Sequence, residues 1–253
     1  MTTGLFDLSG KIAIVTGSTR GLGYGIAEAL IAHGATVIVS SENADDTMTA
    51  AAALGAFGIP CDVGDDHAVA ALVVQTTERF GGIDILVSNA GITGGDAGAS
   101  PVDMTSFDRV ISINLRSMVL LTKHALPIMA GRPGASVILM ASISGLRGNA
   151  RIDAYAMAKA GVAQLARNIA VQWGPKGVRA NAIAPGLIDT ALADVFKSDR
   201  IAFERRMQMT PLRRMGQPNE VAGAAVFLAA PAGGFVNGQV LVVDGGTVIT
   251  DGS

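Results

Sequence analysis

The segment Ile12-Ala13-Ile14-Val15-Thr16-Gly17-Ser18-Thr19-Arg20-Gly21-Leu22-Gly23 runs from an apolar, β-branched stretch through three glycines into the helical pattern of residues 22–33. A short apolar run bounded by turn residues reads as a buried strand, and a longer stretch with helical spacing reads as a helix, so the segment is a strand, a tight turn and a helix N-terminus. Without Cβ atoms, Gly17, Gly21 and Gly23 let the backbone pass close to a bulky anion, and the first N–H groups of the helix point at it with the positive end of the dipole. Gly17, Ser18, Thr19, Arg20, Gly21, Leu22 and Gly23 are therefore candidates to cradle the diphosphate of a dinucleotide. In a chain with 32 glycines the spacing alone says little; the strand before it and the helix after it carry the signal.

Working outward, the same alternation recurs. Apolar runs at 12–16, 36–40, 56–61, 83–88, 136–141, 179–184 and 239–243 read as strands. Residues 22–33, 65–80, 105–129, 151–173 and 218–229 have helical length and pattern, the last opened by Asn219 and Glu220 shortly after Gly216. Strand–helix alternation predicts a parallel sheet covered on both faces by right-handed crossovers, an α/β Rossmann-type doubly wound fold of about seven strands. No repeat, low-complexity tract or linker divides the 253 residues, which form one catalytic domain in this reading. The one long interruption, residues 187–212, carries Phe196, Phe203, Met207 and Met209 and reads as a substrate lid.

The second strand ends in Ser40-Ser41-Glu42-Asn43, about twenty residues after the glycine turn, where an acidic side chain would bind a ribose 2′-hydroxyl and a basic one a 2′-phosphate. Ser41 stands where an aspartate would select NAD(H). Arg20 reaches toward a 2′-phosphate that Ser41 and Asn43 also hydrogen-bond, whereas Glu42 favours the unphosphorylated ribose or is simply a solvated turn charge. The balance puts NADP(H) slightly ahead of NAD(H).

Composition removes other classes. With 49% hydrophobic and 16% charged residues the chain is ordinary for a globular protein, and a formal charge of −2 offers no footprint for nucleic acid. Arg205–Arg206 and Arg213–Arg214 are small islands of charge. The single Cys61 has no intrachain disulfide partner, which fits a reducing compartment. Residues 1–11 lack the basic start and apolar core of a signal peptide, and no run approaches eighteen apolar residues, so a soluble, cytoplasmic protein with no membrane contact is expected. His33, His67 and His124 have no ligand spacing and no metal site is expected.

Tyr155 and Lys159 lie four apart in a helical stretch, one turn apart on one face. A phenol is a feeble acid or base near neutrality, and a neighbouring ammonium favours its ionised form, so the pair suits proton transfer. Its bland alternative is a solvated lysine beside a half-buried tyrosine. Ser142 follows the strand at 136–141, and Asn114 follows the helical stretch 106–113, which lets four polar groups converge.

The series as a whole closely resembles the short-chain dehydrogenase/reductase family from Gly10 to Gly246. It comprises the Thr16–Gly23 loop, Cys61-Asp62-Val63, Ser88-Asn89-Ala90-Gly91, Asn114, Ser142, Tyr155-x-x-x-Lys159, Pro185-Gly186 with Thr190, and Val243-Asp244-Gly245-Gly246. The resemblance implies that Asp62 and Val63 meet the adenine, that Asn89, Ala90 and Gly91 line the inner ribose, and that Ile188 and Thr190 hold the carboxamide beyond Pro185 and Gly186. Ser88 departs from the asparagine often found there, a small change. It also implies catalytic roles: Tyr155 moves the proton, Ser142 holds the carbonyl, Lys159 binds the nicotinamide ribose and lowers the Tyr155 pKa, and Asn114 seats a water. The implied reaction interconverts a secondary alcohol and a ketone.

Ile143, Leu146, Leu187, Leu192, Val195 and Phe196 fall where the resemblance places the substrate, which suggests a small-to-medium apolar or cyclic ketone or alcohol, though lid packing explains them equally. Ser144 and Arg151 flank the site and read as structural or solvated at least as readily as substrate contacts. An alternative is a β-ketoacyl-acyl-carrier-protein reductase, but only Arg132 and Lys176 mark a basic docking face at 127–133 and 173–177. A noncatalytic dinucleotide-binding scaffold is disfavoured because all four catalytic positions hold competent residues. A homotetramer is implied by the resemblance, built from the helices at 105–129 and 151–173 in one contact and from the helix at 218–229 with the final strand in another.

Overall fold

A computed structural model describes residues 4–94, 103–149, 152–194 and 200–250. The chain begins with β1 (Ile12–Thr16), α1 (Gly21–Ala32), β2 (Thr36–Ser40), α2 (Ala44–Leu54), β3 (Phe57–Gly58), α3 (Asp66–Phe80) and β4 (Ile85–Ser88). It continues through α4 (Met104–Ile111), a π-helical turn at Ser112–Arg116, α5 (Ser117–Met129), β5 (Ser136–Met140), a 3₁₀ turn at Ile143–Leu146 and α6 (Asp153–Trp173). The last third holds β6 (Arg179–Pro185), α7 (Arg200–Gln208), α8 (Pro218–Ala229) and β7 (Val240–Val243).

The seven described strands form one sheet in the order β3-β2-β1-β4-β5-β6-β7, and every pair is parallel. The expected doubly wound α/β sheet is thus the fold. Its central strands are buried on both faces, which is why they read as continuous apolar runs and not as alternating ones. On β1, Ile14 packs on the side of α3, α5 and α6, while Ala13 and Val15 pack against α1 and α8. Strand order reverses between β1, which feeds β2, and β4, so the crevice beyond the carboxyl ends of these two strands is where a ligand binds in open sheets of this kind.

The buried carboxylate of Asp84 locks the opposite end of the sheet. It accepts the Ile12 N–H at 2.9 Å and a two-pronged pair from Arg132 at 2.9 and 3.0 Å, with Lys11 4.0 Å away. Burial alone would raise its pKa, but the Arg132 guanidinium and the Ile12 N–H together leave it lowered.

Several boundaries differ from the sequence reading. Residues 56–61 contain a strand of only two residues, because beyond Gly58 the chain turns along the crevice. The helical pattern at 105–129 is two α-helices joined by a π turn, an interruption that widens the backbone around Asn114. Two helices are not marked by apolar periodicity. α2 is short and alanine-rich, but it has a clear N-cap in Asn43, whose Oδ1 accepts the Asp46 N–H at 2.9 Å, and a left-handed Gly55 at its end. α7 lies within the interruption at 187–212; its largely polar sequence buries no residue completely. The helix at 218–229 is entered from Gln217, whose N–H donates to Glu220 Oε2 at 2.7 Å, with Pro218 at its first position and Asn219 not the cap.

Candidate active site

The crevice opens into a cavity of about 730 Å³ lined by the glycine turn, the ends of β2, β4, β5 and β6, and the face of α6. At its floor Gly17 and Gly21 take left-handed backbone with φ of 62° and 58°. A side chain at Gly17 would meet the Ala90 Cα at 2.8 Å, and one at Gly23 would run into the Gly17 carbonyl. Arg20 occupies the N-cap position of α1 but makes no side-chain cap, and the first turn of α1 holds no acidic residue. The helix therefore presents unsatisfied N–H groups and its positive end to the cavity, which suits a diphosphate. An uncapped helix end above a turn that Cβ atoms would fill is a good fit to a dinucleotide.

Ser18 is the exception among the loop candidates. It is fully buried, donates to the Val15 carbonyl at 2.6 Å and accepts the Ser40 N–H at 3.0 Å, so it fastens the turn to β2 and does not line the cavity. Thr19, Arg20, Gly21, Leu22, Gly23, Ser41, Glu42, Asn43, Asp62, Val63, Asn89, Ala90, Gly91, Pro185, Gly186, Ile188 and Thr190 all line it. The Asn89 amide donates to the Thr16 and Gly17 carbonyls, both at 3.0 Å, so its side chain supports the turn from the β4 side. Asn43 caps α2 with its Oδ1, and Asp46 joins Glu42 and Arg20 on the same wall. Asp62 Oδ1 accepts the Gly64 N–H at 2.8 Å.

The four polar residues singled out as catalytic line this one cavity, near the carboxyl ends of β4 and β5. Ser142 follows β5 directly, and its Oγ accepts both the N–H and the hydroxyl of Ser144, at 3.2 and 2.8 Å. With both acceptor positions filled, the Ser142 proton is directed elsewhere, and a hydrogen bond from Ser142 favours the ionised form of Tyr155. Burial nevertheless dominates and raises the Tyr155 pKa. Lys159 is buried, its Nζ donates to the Met140 carbonyl at 2.7 Å and lies 5.5 Å from the Tyr155 ring centroid, and desolvation lowers its pKa to about 8. At Tyr155 burial outweighs the Ser142 hydrogen bond, and the Lys159 ammonium bonds to the Met140 carbonyl.

Asn114 sits in the π turn, fully buried. Its amide donates to the Ile92 carbonyl at 2.8 Å and to Val110 at 3.0 Å, and its Oδ1 accepts the Ile92 N–H at 3.2 Å. A side chain at Gly91 would fall 2.5 Å from Asn114 Oδ1 and 3.6 Å from Lys159 Nζ, so glycine there keeps these two polar groups in one open space.

Of the apolar substrate candidates, Ile143 and Leu187 line the cavity and Leu146 is exposed outside it. Val195, Phe196 and Arg151 lie outside the described residues. Ser144, which flanks the site in the sequence, lines the cavity, and so do Arg147, Asn149 and Arg206, which local spacing does not mark as site residues. Ser144 had a signal in its proximity to Ser142; the others depend on how a loop and α7 fold over the site. Among the described residues no group of histidine, cysteine, aspartate or glutamate is placed to hold a metal, and no helix is long and apolar enough to cross a membrane.

The family model described as enoyl-(acyl carrier protein) reductase matches residues 17–248. A cis-4-hydroxycyclohexanecarboxylate dehydrogenase of Sinomonas cyclohexanicum is 40% identical over 240 residues, 93% of this chain and 96% of that protein. The chain belongs to the short-chain dehydrogenase/reductase family. The 7alpha-hydroxysteroid dehydrogenase of Escherichia coli K12 is 37% identical over 95% of each chain. A solved Agrobacterium tumefaciens dehydrogenase with bound NADP superposes with a TM-score of 0.90 at 34% identity, covering 98% of this chain and 100% of its own. As a short-chain dehydrogenase/reductase the protein is an enzyme that interconverts a secondary alcohol and a ketone with NAD(P)(H).

Proposed function

We propose that Tyr155 is the proton donor and acceptor of this reaction, that Ser142 orients the substrate oxygen, that Lys159 holds the cofactor ribose, and that the substrate is a small-to-medium cyclic alcohol or ketone. The observation that carries the reading is the convergence of Ser142, Tyr155 and Lys159 on the wall of a cavity whose floor is the uncapped end of α1. Bound nicotinamide supplies or takes up the hydride. As hydride arrives at the carbonyl carbon, negative charge grows on oxygen, where the Ser142 hydroxyl stabilises it and the Tyr155 phenol delivers its proton. Ser144 keeps Ser142 aimed by donating to its oxygen. A phenol held neutral by burial is ready for reduction at neutral pH, while oxidation needs the ionised form and gains as pH rises. Asn114 braces the backbone of Ile92 and shares open space with Lys159, which supports its place in a relay to solvent.

Support for NADP(H) slightly ahead of NAD(H) comes from the exposed Arg20, which has no ion pair among the described residues, and from Ser41 where an acid would reject a phosphate. Glu42 and Asp46 on the same wall work against the 2′-phosphate, so both cofactors bind in this reading. Residues 187–212 act as the lid, which contains α7. A cyclic substrate body draws support from Ile143 and Leu187 in the cavity and from the relative that acts on a hydroxycyclohexanecarboxylate. The carrier-protein reading loses ground because Arg132 is paired with Asp84, which weakens an already sparse basic face.

Titration of the protein with NADPH and NADH, followed by reduction of a panel of cyclic, aromatic and acetoacetyl ketones, tests the reading. Tyr155→Phe is expected to lower kcat by roughly 10²–10⁴-fold while the cofactor dissociation constant changes by less than about threefold. Full turnover in that variant would remove Tyr155 from the chemistry.

A further inference from the structure

The Val243-Asp244-Gly245-Gly246 motif takes no part in the chemistry above, and none of its residues lines the catalytic cavity. It closes β7 in a tight turn. The Asp244 carboxylate accepts the Gly246 N–H at 2.8 Å and the Val248 N–H at 2.7 Å, and the Asp244 carbonyl accepts the Thr247 hydroxyl at 2.6 Å. Gly245 and Gly246 both take left-handed backbone, with φ of 63° and 88°. A side chain that bonds the backbone just ahead of it in this way fixes the path of the turn.

The turn holds both ends of the segment 187–212. Where the chain leaves β6, the Gly186 N–H donates to the Val243 carbonyl at 2.9 Å, and a side chain at Gly186 would meet the Asp244 Cα at 2.8 Å. At the far end, the Leu212 N–H donates to the Gly245 carbonyl at 3.2 Å, and a side chain at Gly246 would meet Pro211 Cγ at 2.9 Å. Between these contacts the hydroxyls of Thr210 and Thr247, both buried, hydrogen-bond at 3.0 Å. The Thr210 hydroxyl also lies 3.0 Å from the Arg206 carbonyl in the last turn of α7, so the pair reaches the helix itself.

The cavity wall depends on this base. Leu187, Ile188, Thr190, Ala191, Ala193 and Arg206 line the cavity from the segment that starts and ends at the turn. Since α7 buries no residue completely, it has no apolar face deep enough to fix its own place, and its position follows from the bonds at its foot.

We propose that the Asp244–Thr247 turn is the clasp of the lid, and that Thr247 is a positioning residue for substrate binding: through Thr210 it holds α7 against the cavity without touching substrate or cofactor. This rests on the reading of residues 187–212 as the lid and names the contact that holds it. Loss of the Thr247 hydroxyl frees the foot of α7, so the lid is closed for a smaller fraction of the time and substrate binds more weakly, while the chemical step in the closed state is unchanged.

The test uses Thr247→Val, which keeps the shape and removes the hydroxyl, and Thr247→Ser, which keeps the hydroxyl. With the cyclic ketone that the wild type reduces fastest, Thr247→Val is expected to raise KM about five- to tenfold with kcat changed less than about twofold, and Thr247→Ser to restore KM to within about twofold of wild type. Amide hydrogen exchange on the NADPH-loaded protein, read by mass spectrometry, is expected to quicken by a similar factor in peptides covering residues 200–212 of Thr247→Val and not in those covering β1, β4 and β5. Thr210→Val breaks the same pair from the other side, and adding Thr247→Val to it is expected to raise KM by less than the two single effects combined. An unchanged KM in Thr247→Val, exchange that quickens equally throughout the protein, or failure of serine to restore KM would each overturn the proposal. If no ketone is reduced, the assigned reaction falls, and the exchange at residues 200–212 alone decides whether the clasp stands.

Discussion

At the scale of single residues, Lys159 is the costliest group in the site. Its ammonium is buried, has one backbone carbonyl at 2.7 Å as its hydrogen-bond partner, and titrates at about 8 against an ordinary 10.5. Between those two values the unfolded chain holds the proton and the folded chain has released it, so stability from this group rises with pH across the window and is lost as pH falls through about 8. The thermal midpoint of the cofactor-free protein is expected to climb from pH 8 toward pH 10. Tyr155 works in the opposite sense: its raised pKa keeps the phenol protonated in the folded chain, a contribution present below 10 and lost above it. Lys159→Met, which removes the charge and keeps the length, is expected to flatten the rise and to raise the midpoint at pH 7 by roughly 3–6 °C, while abolishing turnover. A lowered midpoint in a melting curve would show that the ammonium stabilises the empty enzyme. Tyr155 and Lys159 were legible as a pair because one helical turn separates them. Arg147 and Arg206 were not, since their relation to the site depends on a loop after β5 and on a helix more than fifty residues further along the chain.

At the scale of elements, the parallel strands and their crossovers follow from runs of apolar residues at helix-spaced intervals, and the glycine turn from its place between β1 and α1. What the periodicity concealed was set by caps and by contacts across the sheet. α2 buries only Thr47, Ala50 and Ala51, a face too small to stand out as a stripe, and its start is marked chiefly by Asn43. Asn43→Ala is expected to destabilise the protein by about 1 kcal/mol through the lost cap, and denaturant unfolding measures it; an unchanged midpoint would mean that water serves the Asp46 N–H equally well. Asp84 makes a larger test, because it joins the start of β1 to the start of β4 and to Arg132 beyond α5. Asp84→Ala leaves a guanidinium and a backbone N–H without their acceptor, and a loss of about 3–5 kcal/mol is expected, read as a shift of the urea midpoint at constant slope. With its pKa lowered in the fold, the contribution of Asp84 is present above the ordinary carboxylate range and disappears as pH falls through the folded value.

At the scale of the whole molecule, apolar side chains remain exposed on the helices expected to make subunit contacts. Met157 and Val171 on α6 and Val119 on α5 are exposed, as are Phe235, ahead of the last strand, and Val242 within it. Such surface supports the homotetramer reading, since two separate apolar faces permit two kinds of twofold contact. Size-exclusion chromatography with light scattering is expected to give four copies for the wild type and a smaller assembly for Met157→Asp/Val171→Asp. A wild-type monomer would remove the reading, and an unchanged tetramer in the variant would move the contact to another face.

The linear order of residues was enough to determine a doubly wound dinucleotide fold and to place Tyr155 and Lys159 side by side, because both are written in local spacing: apolar runs of strand length, glycines at one turn, and two side chains one helical turn apart. Convergence was a matter for the tertiary structure. Packing of β5, the π turn and α6 brought Ser142, Asn114 and Lys159 to one cavity, burial raised the Tyr155 pKa, and Ser18 was turned inward to fasten β2. Arg147 and Arg206 line one cavity only through the packing of α7 and the loop after β5 in three dimensions, an arrangement that residue spacing along the chain does not encode.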